Sequence, residues 1–286
     1  MPSEPIKRGV AAVKRRMARL GAKLPAPAHR HLYGAWTPSE LNARPFINVG
    51  AGLFHHPYWK NVDYGSGWYA KDQKAAFVEY DLTALAPLPF DDGAITLAYT
   101  SHTIEHVDDR AVDNLLGECH RVLRPGGALR VTCPDAGLLY RSLELGARDY
   151  WRWRYPWFKG RLSTAPSLDA VALEDFLVRE IATSKCRFYV HRKTPLSAEE
   201  VRDLARVLPR EDLLNTLIDG VSFDPEHPGD HVNWWTEGKL IAALQRAGFR
   251  TVYPSRRGQS LFAPLTDVDR FDTTQPSNSL YVEAVR

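Results

Sequence analysis

From Phe46 the chain alternates short β-rich runs with stretches of helical periodicity. That rhythm restricts the fold to a mostly parallel α/β sheet, because parallel strands need crossovers and helices supply them. Strands are expected at 46–49, 60–62, 76–80, 95–99 and 129–133. Between the last two, Ala111, Leu115, Leu116, Cys119 and Val122 form the apolar stripe of a helix over about 109–123. The Arg124-Pro125-Gly126-Gly127 stretch should stop that helix, since proline cannot continue it and the glycines supply a turn. The rhythm resumes with a helix in "TEGKLIAALQRAGF", ending at Gly248, and strands at 250–253 and 280–285. The expected architecture is Rossmann-like, a mostly parallel seven-stranded sheet flanked by helices.

Residues 136–227 break the rhythm. They are rich in Arg, Trp and Tyr, with helical patterns around 169–183 and 197–207. Ser197 and Glu200 fit a capping box for the second pattern. This divides the chain into a basic leader and linker over 1–30, a sheet domain over 31–135 plus 228–286, and a helical, aromatic insertion over 136–227. In the leader, Ile6, Val10, Val13, Met17 and Leu20 recur at helical spacing among lysines and arginines. Such a basic amphipathic helix docks on an anionic membrane surface or a partner, or packs on its own domain.

The 286 residues are 44% apolar, enough for a sizeable core. No apolar run approaches a membrane span, and the N-terminus has no apolar secretory core. Cys119, Cys133 and Cys186 form neither a disulfide framework nor a zinc pattern, which points to a reducing cytoplasm. The net charge is +3, yet residues 1–30 hold eight basic groups against one acid, so the body is mildly acidic. A general nucleic-acid binder would carry its basic face on the folded domain, so nucleic acid is not the expected partner.

The first strand runs into Gly50-Ala51-Gly52-Leu53-Phe54-His55. A dinucleotide site wants a third glycine, a helix end under the pyrophosphate and an acid about twenty residues on. Here the third glycine is missing, Asp63 follows too soon, and residues 53–58 leave no room for a helix. NAD is therefore disfavoured. A cofactor without a pyrophosphate needs only close backbone approach, which Gly50 and Gly52 allow, and a carboxylate for ribose hydroxyls, which Asp63 offers. Asp81 ends the third strand and can accept from an adenine amino group, with the Leu82 backbone at the ring edge. The plain alternative for Asp63 and Asp81 is a solvated strand-end acid or a helix cap. The segment after the glycines is either a cover over the cofactor or a tight crossover.

Together, "NVGAG", "NVDY", "EYDLTALAPLPFDDGAITLAYTSHTIEHV" and "ECHRVLRPGGALRVTCPD" resemble a class I S-adenosylmethionine-dependent methyltransferase. The nearest variety is the type 11-like group associated with bacterial surface-polysaccharide biosynthesis. The resemblance is strong over about 46–135, weaker over 230–286, and absent from 1–30. It implies that Gly50, Ala51 and Gly52 line the methionine moiety, Asp63 holds ribose, and Asp81 and Leu82 hold adenine. Ser101 and His102 would flank the sulfonium and the acceptor entrance. With the cysteine usage, the expected location is the cytoplasm, at the inner membrane face if the leader docks there.

His102 and His231 are the candidate general bases, with Asp230 a possible orienting partner of His231. In "RDYWRWRYPWFKGRL", Trp151 and Trp153 alternate with Arg152 and Arg154. If extended, the aromatics share one face and the arginines the other, suiting a sugar and its phosphates, or stacked bases of single-stranded nucleic acid. The acidic body and the resemblance favour a glycan or nucleotide-sugar acceptor. The plain alternative is core packing with a solvated arginine face. No metal centre is expected. His102 and His106 stand four apart without a third ligand in view, and Pro228 and Gly229 interrupt the spacing of His227 and His231. The rival readings are a methyltransferase for RNA or another small molecule, and a non-catalytic module.

Overall fold

The computed structural model describes residues 29–65, 77–161 and 167–286. The leader over 6–23 lies outside the described residues. Seven strands form one sheet in the order β3-β2-β1-β4-β5-β7-β6. They are β1 (Phe46–Val49), β2 (Trp59–Asp63), β3 (Phe77–Glu79), β4 (Ile95–Ser101), β5 (Leu123–Pro134), β6 (Thr251–Pro254) and β7 (Ser279–Val285). β1 pairs in parallel with both β2 and β4, and β2–β3 and β4–β5 are also parallel. β7 runs antiparallel between β5 and β6. The strand order therefore reverses between β1 and β4, and crevices at such a switch point, outside the carboxyl ends of the strands, are where open α/β sheets bind ligands.

The described helices include α1 (Pro38–Asn42), α2 (Asp109–Val122), α3 (Ala136–Glu144), α4 (Tyr155–Arg161), α5 (Leu173–Ile181), α6 (Ala198–Val207), α7 (Arg210–Ile218) and α8 (Glu237–Arg246). α2 starts where the Asp108 carboxylate accepts from the Ala111 amide, at 2.9 Å. Its apolar stripe packs on one sheet face beside α8 residues Leu240, Ala243 and Leu244. Each fully buried leucine there stabilises the fold by about 1.5–3 kcal/mol. The opposite face is closed by Tyr33 and Leu41 before the sheet and Leu265 and Phe271 after β6, around Phe46, Trp59, Leu97 and Tyr99.

The expected turn at residues 124–127 is shaped differently. α2 ends at Val122 and Leu123 pairs with Ile95 at once, so β5 begins six residues before the expected start. Residues 124–127 bulge out before Ala128 meets Leu97. A Cβ on Gly127 would come within 2.8 Å of the Thr96 carbonyl, so glycine is required there.

α3, α5, α6 and α7 build a second apolar cluster, with Trp151, Phe158 and Phe176 at its centre and Trp234 joining from the sheet side. The expected capping box is formed: Ser197 Oγ accepts from the Glu200 amide, and the Glu200 carboxylate accepts from the Ser197 amide.

Candidate active site

A cavity of about 720 Å³ opens at the carboxyl ends of β1, β2, β3 and β4. That is the size range of a cofactor-plus-acceptor cleft. Gly50, Ala51, Gly52, Asp63, Asp81, Leu82, Ser101 and His102 all line it. Sequence separation of fifty residues collapses because four parallel strands end side by side.

Gly50 and Gly52 both have positive φ, 67° and 52°. A Cβ on Gly50 would strike the Thr103 side chain at 2.1 Å, whereas a Cβ on Gly52 would meet nothing within 4 Å. Gly50 is thus a packing glycine, and Gly52 keeps open space for a ligand. Asp63 Oδ2 accepts from the Gly52 amide at 2.6 Å, and Oδ1 from the Tyr64 amide at 2.7 Å. A carboxylate offers about four acceptor positions, so Asp63 can pin the glycine turn and still receive ribose hydroxyls. Asp81 does cap a turn, its Oδ1 accepting from the Thr83 amide and hydroxyl at 2.8 and 2.7 Å, and it also faces the cavity. Asn48 Oδ1 is buried in the cavity wall and accepts no hydrogen bond among the described residues. An orphaned acceptor, a glycine cradle and two strand-end acids fit an uncharged, hydroxyl- and amine-bearing nucleoside.

No helix separates β1 from β2. Leu53, Phe54 and His55 line the cavity, while His56 turns away into the core. The segment is cover on one side and crossover on the other.

His102 has φ 51°, a left-handed conformation costing about 1–2 kcal/mol for a residue with a side chain. Its amide is held by the Thr132 carbonyl at 2.8 Å. Its Nε2 lies 2.7 Å from Ser279 Oγ, and its Nδ1 lies 3.1 Å from Glu105 Oε1. Glu105 is only 1% exposed. Burial pushes its carboxyl up, but His106 and His102 outweigh that and hold it down to about 2.

His231 is not a wall of the cavity. It is buried, its Nδ1 lies 2.6 Å from the Glu180 carbonyl, and burial, reinforced by His106, lowers its pKa to about 3. A group so hidden cannot reach an acceptor, so the expectation of a base at His231 is corrected. Asp230 does not orient it either; the Asp230 carbonyl engages His106 Nδ1 at 3.0 Å. His106 lines the cavity.

The aromatic–arginine run is likewise corrected. Residues Arg148–Trp153 form a 3-10 helix rather than an extended strand. Trp151 is 0% exposed and stacks on Phe176, with ring centroids 5.0 Å apart. Trp153 stacks on Trp151 at 6.0 Å and carries the Arg154 guanidinium over its ring at 4.5 Å. Arg154 is paired with Glu180 and Gln275, and exposed Arg152 with Asp149. None of the four lines the cavity. What lines its rim instead is Phe223, Arg270, Thr273 and Thr274, brought from distant parts of the chain by the insertion's end and the loop before β7. No local motif marks those residues. Glu105 did have a signal: an acid flanked by Ile104 and Val107, with histidines three before and one after.

A seven-stranded sheet in this order, with its cavity at the β1/β4 switch, defines a Rossmann-like α/β fold. Residues 60–131 match the family model described as a methyltransferase domain. That match covers about a quarter of the chain, and S-adenosylmethionine is the cofactor that a methyltransferase domain uses. An uncharacterised 37.1 kDa protein in a transposon of Streptomyces fradiae is 42% identical over 78 residues, 26% of this chain and 22% of that protein. The chain therefore spans about a fifth of that relative's length. Among solved structures, an S-adenosylmethionine-dependent methyltransferase from Mesorhizobium loti is similar over 90% of this chain and 96% of its own, at 16% identity and a TM-score of 0.39. One from Archaeoglobus fulgidus is similar over 84% and 85%, at 13% identity and a TM-score of 0.39.

Proposed function

We propose that the protein transfers a methyl group from S-adenosylmethionine to a sugar oxygen of a bacterial surface polysaccharide, or of its nucleotide- or lipid-linked precursor. The observation that carries the transferase reading is the gathering of Gly52, Asp63, Asp81 and Ser101 around one cavity at the switch point. Methyl transfer from a sulfonium is an in-line displacement. The acceptor oxygen bonds to the methyl carbon, the carbon–sulfur bond breaks to leave a thioether, and the hydroxyl proton passes to a base. Alignment and exclusion of water are the protein's share. His102, on the cavity wall and against Glu105, is the group positioned to take that proton. For the acceptor, the support is the family resemblance together with the rim. Thr273 and Thr274 suit hydroxyls, Phe223 suits a sugar face, and Arg270 suits a phosphate. The basic leader over 6–23 would hold such an enzyme against an anionic membrane surface.

Calorimetric titration with S-adenosylmethionine and with its demethylated product tests the cofactor; no heat from either sinks the enzyme reading. Mass spectrometry of surface glycans from a deletion strain tests the acceptor. A lost methyl group is expected, and an unchanged methylation pattern beside intact cofactor binding would remove the glycan. Removal of residues 1–23 should abolish sedimentation with anionic vesicles.

A further inference from the structure

Behind the cavity wall, a nitrogen of His106, a nitrogen of His231 and a carboxylate oxygen of Glu105 all lie within 4.8 Å of one another. Two segments deliver them and a third braces them. Glu105 and His106 sit on a 3-10 turn (Ile104–His106) after β4. His231 is stitched to that turn, because the Val232 and Asn233 amides both donate to the Glu105 carbonyl, at 2.8 and 3.1 Å. The insertion holds it from the other side, with the His231 amide donating to Thr183 Oγ1 and the Thr183 amide to the His231 carbonyl.

The hydrogen bonds settle which nitrogens carry protons. His106 Nδ1 faces the Asp230 carbonyl at 3.0 Å, and His231 Nδ1 faces the Glu180 carbonyl at 2.6 Å. A carbonyl oxygen only accepts, so each Nδ1 bears a hydrogen. Each Nε2 is then a bare lone pair unless the ring takes a second proton. His106 Nε2 is 3.8 Å from Glu105 Oε1. Neither carboxylate oxygen, though buried, accepts a hydrogen bond of good geometry. The next nitrogen, His102 Nδ1, lies 3.1 Å from Oε1. Two imidazoles and a buried carboxylate gathered within 4.8 Å make a ligand set of two neutral nitrogens and one anion. An Nδ1–H fixed on a backbone carbonyl is also the outer-shell contact that orients metal-ligating histidines.

We infer that Glu105, His106 and His231 form a divalent transition-metal site on the inner wall of the cavity. Two imidazoles and one carboxylate suit Zn²⁺, Mn²⁺, Fe²⁺ or Co²⁺ rather than Mg²⁺ or Ca²⁺. Bonds of about 2.0–2.2 Å put ligand atoms roughly 3–4 Å apart, so small ring rotations close the set. Three protein ligands leave coordination positions open, and His106 gives the site its edge on the cavity. If the cavity is the methyl-transfer site, an acceptor hydroxyl taken as a further ligand would lose its proton more readily. That role rests on the proposed transferase reading; the metal site itself does not.

The test is binding of the metal alone. The full chain is stripped with chelator, given Zn²⁺ or Co²⁺, and passed through gel filtration. One retained equivalent is expected, with visible Co²⁺ absorption and a raised Tm. His106→Ala and Glu105→Gln should each abolish the retained equivalent, while His227→Ala should keep it, His227 belonging to a separate surface cluster with Asp224 and Glu226. Wild type that retains no metal overturns the site. So does an equivalent that survives in His106→Ala, a variant on the partly exposed wall where folding is least at risk. Imidazole resonances showing His106 doubly protonated in excess Zn²⁺ would assign the position to a proton instead. Failure of methyl transfer with metal retained would sink the transferase reading and leave the site standing.

Discussion

Gly52 and Asp63 work as a pair. The carboxylate accepts from the Gly52 amide, and the glycine's missing side chain leaves the space a ligand would fill. Gly52→Ala puts a methyl group into that space and forces a side chain to φ 52°, costing about 1–2 kcal/mol of stability. The variant should still fold, and its affinity for S-adenosylmethionine should fall more than its Tm suggests. Calorimetry and thermal melts on the same preparation check this; equal affinity would mean the ligand does not pass over Gly52. Asp63→Ala removes two acceptors for ribose hydroxyls and frees the turn. Hydrogen bonds to a charged group contribute about 1.5–3 kcal/mol, so the affinity should drop by roughly 10- to 100-fold. A change below twofold would take Asp63 out of the ribose position.

At the level of elements, a buried arginine ties the loop between β6 and β7 to the sheet. Arg130 on β5 meets Asp272 with Nε and Nη2, at 3.1 and 2.6 Å, and Glu283 with Nη1 at 2.7 Å. It also donates to the Arg256 and Gln259 carbonyls. Tyr253 closes the network on Glu283 Oε2 at 2.6 Å. Arg130→Met leaves two carboxylates buried without their cation, so a loss of about 3–5 kcal/mol is expected in urea unfolding. Because Asp272 lies in the loop that supplies Arg270, Thr273 and Thr274 to the cavity rim, acceptor turnover should fall as well. A midpoint unchanged in urea would show the network to be idle. This network also marks where the sequence stops being readable. Strand positions were legible because apolar runs of β-rich residues report on local burial, and 46–49 was placed to the residue. Arg130 sits inside such a run, and nothing local says its partners lie more than a hundred residues away. The same holds for His231, whose burial is decided by Thr183 and Glu180. Trp151 and Trp153 misled because alternation reads as a strand only if the chain is extended, and here the insertion's core takes Trp151 on a 3-10 helix.

Across the whole molecule, one histidine couples three separate parts of the chain. His56 is buried where the segment before the sheet, the β1–β2 crossover and the loop before β7 meet, with Tyr33, Trp59 and Phe271 around it. The Tyr58 amide donates to its Nδ1 at 3.1 Å, so Nε2 carries the hydrogen and faces Tyr33 Oη at 3.0 Å. Burial, reinforced by nearby Arg270, lowers its pKa from 6.5 to about 3. Below pH 6.5 the unfolded chain therefore takes up a proton that the folded one refuses. Stability from this group is fully present above pH 6.5 and declines as pH falls toward 3, by about 1.4 kcal/mol per pH unit. His56→Gln cannot take up that proton in either state. The variant should be less stable than wild type at pH 7, because a tuned hydrogen-bond pair is lost. The gap should then narrow by roughly 2 kcal/mol between pH 6.5 and 4.5. Urea midpoints of both proteins across that range measure it. Parallel curves would mean that His56 is protonated in the folded state, and that the crossover is not sealed under the sheet.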